Sequence, residues 1–204
     1  MVQMAVIILV RHGESTANVK DIVTSSLNGS PLTKRGAEQA RTVAGEIAKV
    51  GAARLLTSPL VRTRQTAMEI GKALGVEPIS DYRLREREFG ELEGVKKDKW
   101  MTASLLGKTG KHTEAWGSIR DRTDSFIDEV SKLNGITVAV THEVFIRSAL
   151  CDILNLGNLQ GFAIKVGNCS LTAIRLGRKQ RIIAMGLPML PEGVVKEIAF
   201  EAGE

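Results

Sequence analysis

The sequence has no apolar run long enough to cross a membrane and no N-terminal segment of the secretory kind. A membrane helix needs about 20 consecutive apolar residues, and the apolar run near the start of the chain covers only residues 5–10. The N-terminus also lacks the basic flank and the small-residue cleavage site of a signal peptide. These absences predict a cytoplasmic protein that has no membrane partner.

Cysteine is scarce, with two residues in a chain of 204. Cys151 and Cys169 are far apart in the sequence, lie in apolar surroundings, and do not have the spacing of metal ligands. Both are therefore predicted to be buried free thiols in a reducing compartment. They predict neither a disulfide nor a metal site.

Neither sign of charge dominates the chain. There are 28 Lys and Arg residues against 23 Asp and Glu residues, and the net charge is +5. The basic residues are interspersed with acidic ones, as in RLREREFGELEG, whereas a nucleic-acid-binding surface needs them clustered. We therefore expect no nucleic-acid partner.

Strand-like apolar runs alternate with helical patterns, without an internal repeat or a linker. This alternation predicts one domain over residues 1–204, an α/β three-layer sandwich with a mostly parallel central sheet flanked by helices. The pattern is lost at about 90–112, which we interpret as an irregular or short helical insertion. The predicted strands cover residues 5–10, 54–57, 136–140, 170–176 and 181–185, and the main predicted helices cover 34–49, 60–74, 116–130 and 146–153.

Polar residues follow three of the predicted strands. The carboxyl ends of parallel strands meet at one edge of an open α/β sheet, where ligands bind. A single histidine there is more often structural, but two histidines with two arginines favour an anion such as a phosphoryl group. The residues are Arg11 and His12 after the first strand, Ser58 and Arg62 after the second, and Thr141 and His142 after the strand that ends at residue 140.

Six short motifs follow one another along the chain: LVRHGES, SPLTKRGAEQA, TSPLVRTRQTA, LREREFGELEG, VAVTHEVFIR and GNCSLTAI. In this order and spacing they resemble the histidine phosphatase superfamily, in its phosphoglycerate-mutase-like branch. The resemblance runs from residue 5 to about 187. One such motif would be weak, but six in order are specific.

The resemblance implies a role for each strand-end residue. His12 would be a nucleophile that becomes phosphohistidine, Arg11 and Arg62 would clamp the phosphoryl oxygens, and His142 would complete the pocket. Gly13 would leave room for the approaching phosphate. Because a neutral imidazole is nucleophilic near pH 7 and charge neutralisation is left to the arginines, this mechanism requires no metal and no cofactor.

Asn18 matches a family asparagine on the loop that follows the first motif. In that interpretation its side chain hydrogen-bonds the phosphate or the substrate. The alternative is an ordinary turn residue. The sequence does not decide between the two.

The proton donor to the leaving group has two candidates. Glu86 matches the family acid, and a carboxyl group in a partly buried pocket beside phosphate has the raised pKa that a general acid needs. Glu143 follows His142 where this branch commonly has glycine, and resembles the acid of the acid-phosphatase branch. Glu143 also fits as a residue of the phosphate site or as an acidic residue at a helix N-terminus. We favour Glu86.

The insertion bears on the activity. Phosphoglycerate mutases carry a longer segment there, with paired arginines and a proline run, and this chain has neither. Lys96, Lys97 and Lys99 form either a second anion site or solvated charges, and Trp100 and Met101 either wall the site or anchor the loop.

We therefore predict a metal-independent histidine phosphatase that hydrolyses small phosphate monoesters. The alternatives are a cofactor-dependent phosphoglycerate mutase and a non-catalytic member that binds a phospholigand or a protein. The complete set of Arg11, His12, Arg62, Glu86 and His142 argues against the last. The sequence does not identify the substrate or decide whether the chain forms a homodimer.

Overall fold

One sheet of six strands organises the fold, in the order β3-β2-β4-β1-β5-β6. The structure is a computed structural model that describes residues 5–108, 110–177 and 179–203. Strands β1 to β4 run parallel, β5 is antiparallel to its neighbour β1, and β6 is antiparallel to β5 and so runs in the direction of β1; the sheet is mostly parallel, as predicted. The strands are β1 Ala5–Arg11, β2 Arg54–Thr57, β3 Ile79–Ser80, β4 Gly135–Thr141, β5 Leu171–Leu176 and β6 Arg181–Leu187.

Helices connect the strands and cover both faces of the sheet. Single-turn 3₁₀ helices at Tyr82–Leu84 and Gly90–Leu92 lead into the insertion. The α-helices are α1 Thr16–Lys20, α2 Lys34–Ala48, α3 Val61–Leu74, α4 Lys97–Leu105, α5 Trp116–Ser131, α6 Glu143–Ile153, α7 Asn158–Gly161 and α8 Glu192–Ala202.

The predicted strands and long helices are all present. The short elements β3, α1 and α7 were not predicted, nor was α8. Residues 90–112 contain the 3₁₀ helix Gly90–Leu92 and α4, with irregular segments around them. Thr109 lies outside the described residues.

Strand β1 lies inside the sheet, and all seven of its residues are buried. Its side chains alternate between the faces, as the pleat of a strand requires. The even-numbered residues 6–10 pack with apolar residues of α2, α3 and α8. The odd-numbered residues 5–9 pack with those of α5 and α6. The two apolar clusters make this a three-layer sandwich, as predicted.

A third apolar cluster, the cap cluster, lies over the carboxyl edge of the sheet. It contains Val23, Phe89, Trp100, Ile119 and Val144. The Trp100 ring makes an edge contact with that of Phe89, with 5.4 Å between the ring centroids. The cap cluster therefore holds α4 and the segment after α1 against the body of the domain.

Within the described ranges, no helix is both long enough and apolar enough to span a membrane. Cys151 and Cys169 are buried free thiols, as the sequence predicts.

Candidate active site

The site begins where β1 and β4 end side by side. These strands are parallel neighbours with Arg11 opposite Thr141, and the backbone N–H of His12 donates to the carbonyl of Thr141 at 3.0 Å. This register brings the two predicted histidines together. The ring centroids of His12 and His142 are 5.1 Å apart, and the ring planes make an angle of 60°.

The hydrogen bonds of His12 define which ring nitrogen carries the proton. Nδ1 lies 2.7 Å from the carbonyl oxygen of Gly13, and Nε2 accepts from Nε of Arg62 at 3.1 Å. Because a carbonyl only accepts and a guanidinium only donates, Nδ1 is protonated and Nε2 carries the lone pair. Burial first, and then the charges of Arg62 and Arg11, hold the pKa of His12 well below its usual value of 6.5. His12 is therefore a neutral imidazole with a nucleophilic Nε2.

Gly13 is needed for a reason other than the predicted one. A Cβ atom on Gly13 would lie 2.5 Å from the carbonyl oxygen of Gly36, and one on Gly36 would lie 1.9 Å from the carbonyl oxygen of Glu14. The pair lets the loop after β1 touch the first turn of α2. The structure thus shows a packing requirement between two backbone segments at Gly13, and the expectation that Gly13 makes room for phosphate stays a prediction.

Arg62 is fixed at the start of α3 and remains partly unsatisfied. Its NH2 donates to the carbonyl of Thr24 at 2.9 Å, while its buried NH1 has no hydrogen-bond partner among the described residues. Burial lowers the pKa of Arg62 to about 10, so that it is still a cation at neutral pH. A buried guanidinium nitrogen without a partner fits an anion that the site is built to bind.

Arg11 repeats this pattern on the other side of His12. Its NH1 donates to the carbonyl of Val166 at 2.5 Å, and its NH2 lies 3.3 Å from Oε2 of Glu143. Its buried Nε has no partner within the described part of the chain. Each arginine is therefore held by two contacts and keeps a third nitrogen for a ligand.

His142 is oriented by Ser58, a residue whose function sequence reasoning missed. Nε2 of His142 lies 2.9 Å from Oγ of Ser58, and the backbone N–H of Leu60 approaches the same oxygen at 3.4 Å. A hydroxyl has one donor and two acceptor sites, so the tautomer of His142 sets which of the two groups donates in this contact. Nδ1 of His142 is buried and has no partner in the described ranges. Burial, then the charge of Arg62, holds the pKa of His142 well below its usual value of 6.5, so the ring is neutral.

We call Arg11, His12, Arg62 and His142 the phosphoryl pocket. The structure brings together all four residues that the sequence predicted for it. No group of three or more His, Cys, Asp and Glu residues within the described ranges is arranged to hold a metal ion.

Glu86 lies in the same cavity and is 9% exposed. The segment before it is fixed because Oγ1 of Thr141 donates to the carbonyl of Leu84 at 2.7 Å. Oε1 of Glu86 accepts the backbone N–H of Arg87 at 3.0 Å. Burial raises the pKa of Glu86, and the charge of Arg62 only partly opposes that effect. A carboxyl group that keeps its proton to a higher pH than usual suits a general acid.

Glu143, the rival acid, has a different environment. Its Oε1 pairs with NH2 of Arg147 at 2.6 Å, and its Oε2 pairs with Nζ of Lys97 at 2.8 Å and with Arg11. Burial alone would raise the pKa of Glu143, but Arg11, Arg147 and Lys97 together bring it below the usual value. Glu143 is therefore an ionised carboxylate in the first turn of α6, which agrees with the helix interpretation. We call these four residues the Glu143 cluster.

The sequence analysis did not predict that Arg147 and Lys97 form ion pairs with Glu143. Arg147 lies four residues after Glu143 on α6, a spacing at which opposite charges meet, so the sequence contained a signal for that pair. Lys97 comes from α4, and only the packing of the insertion brings it there. Lys96 instead donates to the carbonyl of Lys20 at 2.8 Å.

Asn18 lines the cavity and also has a local structural role. Its Oδ1 accepts the backbone N–H of Ser15 at 3.0 Å and Nδ2 of Asn168 at 3.2 Å. These two donors identify which terminal atom of the Asn18 amide is the oxygen, because the amide nitrogen could not accept either hydrogen bond. Asn18 is therefore the third residue of α1, where its side chain completes a capping box with Ser15, and not a turn residue. Contact between Asn18 and a substrate stays a prediction.

The cavity beside these groups is small, about 50 Å³, and its lining includes Arg11, His12, Arg62 and Glu86. His142 is fully buried and reaches the site through its contact with His12. Val23, Phe89 and Trp100 of the cap cluster form the apolar side of the cavity. Trp100 is both a wall of the site and a buried anchor of α4, so both interpretations of this residue hold.

Comparison with known proteins places this geometry among enzymes of phosphate esters. The family model of the histidine phosphatase superfamily (branch 1) matches residues 7–185. A 2,3-bisphosphoglycerate-dependent phosphoglycerate mutase of Thermoplasma acidophilum is 30% identical over 204 residues, which cover 97% of this chain and 100% of the relative.

Solved structures of two kinds of enzyme share the fold. A phosphoserine phosphatase of Entamoeba histolytica, solved with phosphoserine, superposes with a TM-score of 0.80 at 22% identity and covers 91% of this chain and 98% of its own. A phosphoglycerate mutase of Bacillus anthracis gives a TM-score of 0.79 at 20% identity, with 97% of both chains covered. Phosphatases and mutases are thus both similar to this chain.

Proposed function

Because the chain belongs to the histidine phosphatase superfamily, branch 1, we propose that it is a metal-independent phosphatase that hydrolyses small phosphate monoesters through a phosphohistidine on His12. The observation that carries this proposal is the state of His12, a neutral ring whose Nε2 lone pair faces the guanidinium of Arg62. A phosphoryl group bound by Arg62 lies within reach of that lone pair.

In the first step, Nε2 of His12 attacks phosphorus, and the bond between phosphorus and the ester oxygen breaks. Glu86 gives its proton to the departing alkoxide, so that an alcohol leaves. The free nitrogens of Arg11, Arg62 and His142 donate to the phosphoryl oxygens as charge accumulates on them. In phosphoryl transfer, such positioning and neutralisation supply most of the catalysis.

In the second step, water replaces the alcohol. The ionised Glu86 accepts a proton from the water, whose oxygen attacks phosphorus as the phosphorus–nitrogen bond to His12 breaks. Inorganic phosphate leaves, Glu86 is again protonated, and Nε2 recovers its lone pair. One carboxyl group thus acts as acid and then as base.

Two features support hydrolysis over the mutase reaction. The insertion lacks paired arginines, and the cations of the Glu143 cluster already pair with a carboxylate of the chain. A mutase must retain a bisphosphate intermediate, which needs free cations outside the phosphoryl pocket. The identity to the Thermoplasma acidophilum mutase keeps phosphoglycerate mutase as the second candidate. A non-catalytic role is disfavoured because the pocket residues are all present.

The substrate class is a small phosphorylated molecule, and the buried free thiols favour a cytoplasmic protein. Phosphate release and interconversion of 3-phosphoglycerate and 2-phosphoglycerate should be measured in parallel over a set of phosphate monoesters. We expect phosphate release to exceed isomerisation by orders of magnitude and to be unchanged by chelators. Efficient isomerisation stimulated by a bisphosphate would establish the mutase instead.

A further inference from the structure

The wall of the cavity includes an anion that belongs to the protein itself, the carboxylate of Glu143. We propose, on the basis of the phosphatase function above, that Glu143 selects against phosphate esters whose leaving group carries a second negative charge. The substrate class is then narrowed to monoesters of compact, uncharged alcohols.

Glu143 forms ion pairs with the cations that line this part of the cavity. Lys97 and Arg147 pair with Glu143 at 2.8 Å and 2.6 Å, and Arg11 lies 3.3 Å from the same carboxylate. The side chains of Glu143 and Arg147 are only 10% and 7% exposed, so these ion pairs are weakly screened by solvent. The carboxylate thus occupies the position that a second anion of a substrate would need.

A ligand anion cannot replace Glu143 as the partner of these cations without a large cost in free energy. Nε of Arg147 donates to the carbonyl of Ile164 at 2.9 Å, which fixes the guanidinium beside Glu143. A carboxylate of the substrate would enter next to the buried, ionised Glu143, and like charges at close range in such a site repel strongly. A second anion is therefore disfavoured even though three cations are close by.

The same wall can still bind an uncharged polar group. Arg147 is one of the residues that line the cavity, and its buried NH1 has no partner within the described part of the chain. A hydroxyl oxygen that reaches NH1 can accept a hydrogen bond from it, while Phe89 and Trp100 offer apolar contact. Hydroxyl-bearing alcohols therefore suit the wall better than carboxylates or phosphates.

Glycerol 3-phosphate and 3-phosphoglycerate test this selectivity, because they differ mainly in a CH₂OH group against a carboxylate. Their dissociation constants are to be measured by titration calorimetry in the His12→Ala background, which cannot form phosphohistidine, with and without Glu143→Gln. We expect the background protein to favour glycerol 3-phosphate, and Glu143→Gln to shift the ratio of the two constants about tenfold toward 3-phosphoglycerate. Glu192→Gln, which removes an exposed carboxylate paired with Lys196, is the charge-matched control and should leave the ratio unchanged.

A second variant covers the case in which Glu143→Gln does not fold. Lys97→Gln in the His12→Ala background removes a cation and leaves Glu143 paired with Arg147, so it should move the ratio further from 3-phosphoglycerate. An unchanged ratio in the folded variants, or a background protein that prefers 3-phosphoglycerate, would overturn the role of Glu143. Because binding is measured without turnover, that failure is separate from failure of the phosphatase function, which would appear as absence of phosphate release by the unaltered enzyme.

Discussion

The phosphoryl pocket and the Glu143 cluster share Arg11 and are built from the same kinds of side chain, yet their other cations differ in what they contact. In the pocket, NH1 of Arg62, Nε of Arg11 and Nδ1 of His142 are buried without partners among the described residues. In the cluster, Lys97 and Arg147 are bonded to Glu143. Unsatisfied buried donors are costly in a folded protein.

This difference distinguishes a site whose buried donors lack partners from a site whose cations are paired with a carboxylate of the chain. The partners that the pocket lacks fit the oxygens of a phosphoryl group, whereas in the cluster each cation already pairs with Glu143, although NH1 of Arg147 and Nε of Arg11 have no partner among the described residues. Arginine and lysine near an active site therefore do not by themselves indicate an anion subsite. What matters is whether a carboxylate of the chain has taken their hydrogen bonds.

The largest effect is expected from removing the nucleophile of the phosphoryl pocket. His12→Ala should reduce turnover of every phosphate ester by at least about 10³-fold, since no other group replaces Nε2. His112→Asn is the control, because His112 is an exposed residue in a left-handed turn that asparagine tolerates. Steady-state phosphate release measures both variants, and substantial turnover by His12→Ala would show that the pocket has another nucleophile.

The next largest effect distinguishes the two carboxyl groups of the cavity. Glu86→Gln should lower turnover of alkyl phosphates about 10²-fold or more, because an alkoxide leaves poorly without a proton. Turnover of aryl phosphates should fall much less, since a phenolate needs little protonation. Kinetics on an alkyl and an aryl ester give the comparison.

Glu143→Gln is the matched control for this dependence on the leaving group. An ionised Glu143 has no proton to give, so its replacement should affect alkyl and aryl esters alike. If the dependence appeared only in Glu143→Gln, the proton donor would be Glu143 and the cluster would belong to the catalytic machinery.

The pH dependence of kcat/KM should follow the raised pKa of Glu86. Its acid form is present below that pKa and is lost above it, so kcat/KM for an alkyl ester should fall on the alkaline side as Glu86 ionises. The lowered pKa of His12 keeps the nucleophile neutral down to an acidic pH. The pH profiles of the unaltered enzyme and of Glu86→Gln should be measured on the same ester. Ionisation of the substrate then affects both profiles equally, and the difference between them reports on Glu86. Retention of the alkaline limb in Glu86→Gln would assign it to another group.

The smallest catalytic effect is expected at Ser58. Ser58→Ala leaves Nε2 of His142 without its partner, so that the orientation and the tautomer of the ring are no longer fixed, and turnover should fall about tenfold. The free energy of unfolding should fall by about 1 kcal/mol. Thr172→Val, which removes a buried hydroxyl bonded to Gly186, should cost similar stability without the loss of turnover. Recovery of turnover by Ser58→Thr would support a positioning role, and equal kinetics of Ser58→Ala and Thr172→Val would refute it.

The phosphoryl pocket could be predicted because its residues follow strands. An apolar run identifies a buried strand, and parallel strands end at one edge of the sheet, so His12 and His142 were expected at the same edge. The pairing of β1 with β4, which brings the two rings together, was not predicted. The same reasoning identified Ser58 as a strand-end residue. It did not identify the bond from Ser58 to His142, because that contact joins residues 84 positions apart through side-chain orientation.

The Glu143 cluster could not be predicted as a whole. The pair of Glu143 and Arg147 follows helical spacing, but Lys97 reaches Glu143 only because the cap cluster fixes α4 over the sheet. Helix α8 was also missed, although its Ile198 and Ala202 are buried against the sheet. Tertiary packing, and not the local sequence pattern, determines both the contact of Lys97 with Glu143 and the position of α8.

Phosphate on His12 is the most direct test of the central claim, that the neutral His12 is a nucleophile in a pocket prepared for a phosphoryl group. Brief reaction with a labelled phosphate monoester, followed by quenching and peptide mapping, should give an acid-labile, base-stable label on the peptide that contains His12. The label should be absent from His12→Ala and should accumulate and decay with turnover in the unaltered enzyme. Turnover without any label on His12, or a stable label on another residue, would contradict the account.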